Sequence, residues 1–168
     1  MKRWRHYLGL LALAGVLWGC AGMGGMPQQP DHSFSFDGQF DGWAKQVDLL
    51  EYRYGSPART TGDSVKPGST SLGYRSPIIS AMPAGEFLFV KWRIKATGEV
   101  LEDRVDLRPL LPRSMDKQTV TFVIDGKQLS VYLVTGTLKP YMAPPILKTY
   151  LSKSTVTFEI YPRNTRPQ

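Results

Sequence analysis

Glu86-Phe87-Leu88-Phe89-Val90-Lys91-Trp92-Arg93-Ile94-Lys95 is the stretch that decides the fold. Leu88, Val90, Trp92 and Ile94 hold alternate positions, with Lys91, Arg93 and Lys95 between them, so the period is two and the stretch reads as a half-buried strand. Glu99 to Leu107 follows with Leu101, Val105 and Leu107 spaced the same way. With Thr97-Gly98 as the turn, Ile94 pairs with Leu101, Val90 with Val105 and Leu88 with Leu107, and Arg93 lies across from Glu102 on the wet side. That register leaves Asp103 opposite Trp92 on the apolar face, where it needs a neighbouring donor.

Downstream the pattern repeats. Thr119 to Ile124 and Lys127 to Val134 flank Asp125-Gly126, a pair suited to a type I′ turn, which sets Phe122 against Leu129 and Val120 against Val131. Ser154 to Tyr161 alternates Val156, Phe158 and Ile160 with Thr155, Thr157 and Glu159. Gln46 to Tyr54 has apolar residues on both faces; Ser33 to Phe36 and Ser76 to Ala81 complete about seven strands. Short alternating strands separated by turn signals predict an all-β fold, an antiparallel β-sandwich.

Two segments interrupt the alternation. Gly55 to Gly85 is dense in Gly, Ser, Thr and Pro, and a loop of that length in a compact domain is either functional or hides a strand. Lys139 to Lys153 carries Pro140, Pro144 and Pro145 before Ile146, Leu147, Tyr150 and Leu151, whose spacing predicts one short helix near the C-terminus with its apolar face packed on the sandwich edge.

The N-terminus reads differently. Lys2, Arg3 and Arg5 precede the apolar run Tyr7 to Trp18, whose 12 residues fall short of the roughly 20 that cross a bilayer as a helix. Leu17-Trp18-Gly19-Cys20 then presents the only cysteine of the chain. This layout resembles a bacterial lipoprotein signal peptide with its lipobox, with Trp18 bulkier than is usual at that place. The resemblance implies that residues 1–19 are removed and that Cys20 becomes a lipidated N-terminus bearing a diacylglyceryl thioether and an N-acyl chain. Two or three acyl chains anchor far more firmly than one. Ala21 and Gly22 after the cysteine, where aspartate would signal inner-membrane retention, imply the outer membrane, facing the periplasm.

Residues 20–32, rich in Gly, Pro and Gln, read as a flexible tether reaching at most roughly 40 Å, and the folded domain is expected over 33–168. One cysteine consumed by lipid leaves no intramolecular disulfide. Of the 21 Lys and Arg, three lie in the signal, so the mature chain carries 18 against 14 Asp and Glu. The basic balance is partly an export signal, and nucleic acid is not implied as a partner.

Catalytic motifs do not emerge. His6 falls in the signal and His32 in the tether, leaving the expected domain without histidine or cysteine, hence without a Ser-His-Asp or Cys-His constellation and without the usual ligands of zinc, copper or haem. No cofactor is expected. Asp37 and Asp41 in the repeat Phe36-Asp37-Gly38-Gln39-Phe40-Asp41-Gly42-Trp43 do not match a calcium loop and read as two Asp-Gly turns between core aromatics. Glu99, Glu102 and Asp103 opposite Lys91, Arg93 and Lys95 read as a cross-strand charge ladder more readily than as a general-acid pair.

What remains suits a protein partner. Arg108-Pro109-Leu110-Leu111-Pro112-Arg113 and Lys139-Pro140-Tyr141-Met142-Ala143-Pro144-Pro145 are proline-stiffened loops following strands, and Arg108, Arg113, Tyr141, Met142 and Pro144 are the candidate partner-binding residues. The run Val90 to Glu99, followed by Glu102-Asp103-Arg104-Val105-Asp106-Leu107 and Phe122-Val123-Ile124, looks like small proteobacterial lipoproteins encoded beside type VI secretion effectors. Some of these are immunity proteins against lipase toxins. The resemblance covers roughly Ala84 to Tyr161 and implies a membrane-anchored, non-enzymatic protein that occludes a phospholipase effector; the alternative is a structural or assembly lipoprotein of a cell-envelope complex.

Overall fold

Among the described residues nine strands form two sheets, and within each strand alternation turns every second side chain toward the core. A computed structural model describes residues 31–140 and 143–167, with side chains left aside at residues 31 and 77–81. The strands are β1 (Asp31–Asp37), β2 (Val47–Ser56), β3 (Arg59–Ser64), β4 (Arg75–Ala81), β5 (Phe87–Ile94), β6 (Val100–Asp106), β7 (Thr119–Asp125), β8 (Gln128–Leu138) and β9 (Thr155–Tyr161). One sheet runs β4-β1-β7-β8-β9 and the other β3-β2-β5-β6. Packed together they form the expected all-β sandwich. Its pairings are antiparallel except that β1 lies parallel to β7, with Ser33 opposite Thr119.

Both predicted hairpins form, each two residues out of the expected register. Leu88 pairs with Val105, Val90 with Asp103 and Trp92 with Leu101. A type I′ turn at Thr97-Gly98 would need positive φ at a β-branched residue. Instead Ile94 and Glu99 close a four-residue loop in which Gly98 alone takes φ of 73° and donates to the Ile94 carbonyl at 2.8 Å. In the second hairpin Asp125 pairs with Gln128, so the turn is Gly126-Lys127 and Phe122 faces Val131. Gly126 has φ of 60°, and placing it first in the turn confines the positive φ to glycine, as in type II′. A two-residue slip returns every side chain to its own face, which is why the predicted core survives the register change.

A register shift between Leu49 and Glu51 resolves the mixed pattern of β2. The bulge switches parity, so Val47 and Leu49 before it and Tyr52 and Tyr54 after it are all buried. β3 is the strand hidden in the Gly55 to Gly85 stretch; it is an exposed edge strand, which is why it lacks apolar alternation. The core is rich in aromatics. Phe34 stacks on Tyr54 at 4.6 Å between centroids, and Phe36, Trp43 and Phe122 meet around it.

The strand count rises from the expected seven or so to nine among the described residues, and three further expectations change. The helix over Ile146 to Leu151 does not form; only a 3-10 turn at Tyr150–Lys153 is present. Side chains hold two amides of this segment instead: Leu147 N–H donates to Ser152 Oγ at 3.2 Å and Tyr150 N–H to Asp41 Oδ1 at 2.7 Å. Asp31 and His32, expected in the tether, already belong to β1, which pairs with β4 from Asp31 opposite Ala81 onward. His32 is therefore buried in the domain, contrary to the expected histidine-free fold, and shares a 3.1 Å hydrogen bond with the Tyr54 hydroxyl. Gly85 N–H also donates to that hydroxyl, and burial pushes the Tyr54 phenol up to about 12.

Candidate functional site

The two sheets differ in what covers their outer sides. Thr121, Val123, Ser130 and Tyr132 point away from the core of their sheet yet are buried. The segment leading into β9 packs there: Leu147 joins the core, and Lys148 pairs with Asp125 beside the β7-β8 turn. The outer side of β2-β5-β6 is instead an open platform.

Strand pairing arranges that platform in rungs. Gly55, Phe87 and Asp106 lie opposite one another on β2, β5 and β6, followed by Arg53, Phe89 and Arg104, and then by Glu51, Lys91 and Glu102. The second rung places an aromatic ring between two arginines. Arg53 approaches the Phe89 ring at 6.0 Å from its centroid, and Arg104 lies over Phe87 at 3.8 Å. Phe87 is only 8 % exposed although it faces outward, because that guanidinium covers it. In the third rung Lys91 pairs with Glu102 at 3.2 Å, and further along Arg93 holds Asp48 at 2.7 Å. Of the expected ladder only Lys91–Glu102 forms across β5 and β6 among the described residues; Arg93 and Lys95 pair instead with Asp48 of β2, Glu99 is engaged by Lys127 at 2.8 Å, and Asp103 accepts from Tyr161. Arg93 above all holds the Asp48 carboxyl below the usual range.

Arg108, a candidate from the sequence, stands at the rim of the platform. It lines a shallow hollow with Phe87, Arg104, Asp106 and Pro57. Its Nε and terminal nitrogen donate to the two Asp106 carboxylate oxygens at 2.9 and 2.7 Å. That fork carries the Asp106 carboxyl down to about 2. Arg113 is exposed further along the same loop, and Pro144 is exposed on the segment following β8. The two loops leave the same end of the sandwich from opposite sheets, and no hydrogen bond or ion pair joins them among the described residues. Cys20, Tyr141 and Met142 lie outside the described residues.

Phe87, Phe89, Arg53 and Arg104 were not singled out from the sequence. The signal was present: Phe87 and Phe89 share the odd positions of their strand with Lys91 and Arg93, so the alternation already placed two aromatic rings on the wet face. Large apolar side chains on an exposed face are an informative anomaly.

Asp37 and Asp41 take the structural roles expected of Asp-Gly turns. Asp37 Oδ1 accepts the Gln39 and Phe40 amides at 3.1 and 3.0 Å, and its other oxygen pairs with Arg75 at 2.6 Å. Asp41 anchors the Tyr150 amide, and burial raises its carboxyl to about 6.

No protein-family model matches the chain, and neither the curated proteins nor the solved structures yield a match. Fold and platform define its class: an all-β sandwich that presents one sheet face of aromatic rings flanked by arginines. Rigid sheet faces of this composition have the anatomy of interface cores, where arginine and aromatic residues are enriched.

Proposed function

We propose that the mature chain is a lipid-anchored binding protein of the outer membrane, facing the periplasm, that acts as an immunity protein by binding and occluding a type VI secretion phospholipase effector. The observation that carries this reading is the Arg53-Phe89-Arg104 rung beside Phe87, an uncovered anchor for another protein on a scaffold held rigid by two packed sheets. The sequence adds the lipobox Leu17-Trp18-Gly19-Cys20, which supports a post at the membrane that a lipase must reach. Occlusion needs no catalytic group on this chain. Bound over the entrance to the effector's active site, a domain of this size excludes a phospholipid by bulk alone.

The test mixes purified residues 20–168 with the lipase effector encoded beside them. A stable complex and loss of phospholipid hydrolysis are expected; an effector left unbound and fully active sinks the proposal.

A further inference from the structure

Both ends of the sandwich present exposed cations, and one of the two ends also receives the chain from Cys20. At the end where β7 and β8 turn, Lys95 is paired with Asp48, Lys127 with Glu99, Lys148 with Asp125 and Arg75 with Asp37, while exposed Lys45, Lys66 and Arg163 make no ion pair among the described residues. At the other end Arg59, Arg113, Lys117 and Lys153 are all exposed, and none makes an ion pair among the described residues. Arg59 closes the β2-β3 turn, Arg113 and Lys117 stand in the loop between β6 and β7, and Lys153 precedes β9 at the level of Leu138. Leu138 itself is 72 % exposed there.

This is also the end at which the chain arrives. β1 begins there, with Asp31 opposite Ala81 and Ser33 opposite Thr119. The stretch from Cys20 to Asp31 spans at most roughly 40 Å, so a lipid on Cys20 brings this end, before any other, within a few screening lengths of the bilayer.

We propose that this pole is a docking surface for anionic phospholipid: Arg59, Arg113, Lys117 and Lys153 lie on the headgroup phosphates, and Leu138 dips between them. The proposal deepens the anchoring reading and rests on Cys20 for its geometry. Charge complementarity selects the occupant. Unpaired cations beside an exposed leucine match a phosphate layer over hydrocarbon, and each such cation is worth about fivefold in partition to an anionic surface. Docked this way the sandwich stands on end, with its β2-β5-β6 platform perpendicular to the membrane and open to a partner arriving along the lipid surface.

The experiment uses residues 20–168 carrying Cys20→Ser, which contain the whole sandwich and no lipid. Co-sedimentation is measured with vesicles containing about one-third phosphatidylglycerol and with pure phosphatidylcholine, at low and high salt. Salt-sensitive binding to the anionic vesicles alone is expected, falling at least about a hundredfold in the Arg59→Gln, Arg113→Gln, Lys117→Gln, Lys153→Gln variant. A control with Lys45→Gln, Lys66→Gln, Lys127→Gln and Lys148→Gln removes the same charge from the far pole and is expected to bind as the parent does. Equal losses in the two variants, equal binding to phosphatidylcholine, or no binding to anionic vesicles overturns the proposal. Circular dichroism melts confirm that both variants fold. The mass of Cys20 in membrane-extracted protein tests lipidation separately, so an unlipidated cysteine removes the anchor without touching the vesicle result.

Discussion

Tyr161 donates its phenolic hydrogen to Asp103 Oδ2 at 2.8 Å, joining the edge strand of one sheet to the edge strand of the other across the side of the sandwich. A register shift between Val131 and Tyr132 brings Val131 opposite Tyr161, which places this tyrosine on the inner side of β9. Asp103 is inward-facing on β6, and its carboxylate raises the Tyr161 phenol above its ordinary value. Tyr161→Phe therefore strands a half-buried carboxylate and is expected to lower stability by about 1–2 kcal/mol, while adding Asp103→Leu recovers part of that loss. Urea unfolding of the single and double variants measures both.

Much of this fold was legible because burial leaves a period-two trace in the sequence. Leu88, Val90 and Trp92, or Val120, Phe122 and Ile124, sort to one face without any knowledge of their partners. Register was less legible, since it hung on whether Thr97 or Asp125 tolerates positive φ in a tight turn, and the chain moved each hairpin by two residues to leave that conformation to glycine. Edge strand β3 left no apolar trace because it has no buried face. Asp103 could be recognised as a residue needing a donor, but naming Tyr161 required the bulge in β9. His32 was misplaced because the Gly-Pro-Gln composition before it offers no sign that β1 starts at Asp31. For the platform, the sequence supplied Arg108, whereas the Arg53-Phe89-Arg104 rung depends on strands far apart in the chain lying in register.

Asp41 predicts a pH dependence. Its carboxyl rises from an ordinary value of 3.8 to about 6, mainly through burial, with the Tyr150 amide and Thr149 hydroxyl opposing and Asp37 adding to the rise. A carboxylate whose folded value is raised binds protons more tightly in the folded state. Its contribution is most favourable below about pH 4 and is lost as pH climbs to about 6. Solvent screening at this partly buried group limits the loss to about 1–2 kcal/mol. Asp41→Asn keeps an oxygen to accept the Tyr150 amide and has no charge to desolvate. It is expected to flatten stability between pH 4 and 6, by roughly that amount at neutral pH, in urea melts across the range.

Arg108 and Asp106 give a purely electrostatic readout. The guanidinium fork holds the exposed Asp106 carboxyl at about 2, with the hydrogen bonds from Arg108 as the leading cause. Arg108→Ala is expected to return that carboxyl toward the ordinary aspartate range, followed by carbon-detected NMR titration of the Asp106 side chain. Because both groups are exposed, the fold itself is expected to be unaffected. A titration that stays at about 2 in the variant would assign the shift to Arg104 rather than to the fork.

The platform makes the sharpest functional prediction. Arg104 covers the Phe87 ring at 3.8 Å and stands beside Phe89, so its removal uncovers aromatic surface while leaving the sandwich core untouched. Arg104→Ala and Phe89→Ala are each expected to weaken binding of the effector by about 2 kcal/mol or more, the range of interface hot spots. Lys127→Ala, which breaks only the exposed pair with Glu99 at the far end, should change binding by less than about 0.5 kcal/mol. Calorimetric titration against the effector reads all three, and unfolding curves separate lost binding from lost fold. Unchanged affinity in both platform variants would move the interface off this face, leaving the proline-stiffened loop around Pro144 as the next surface to probe.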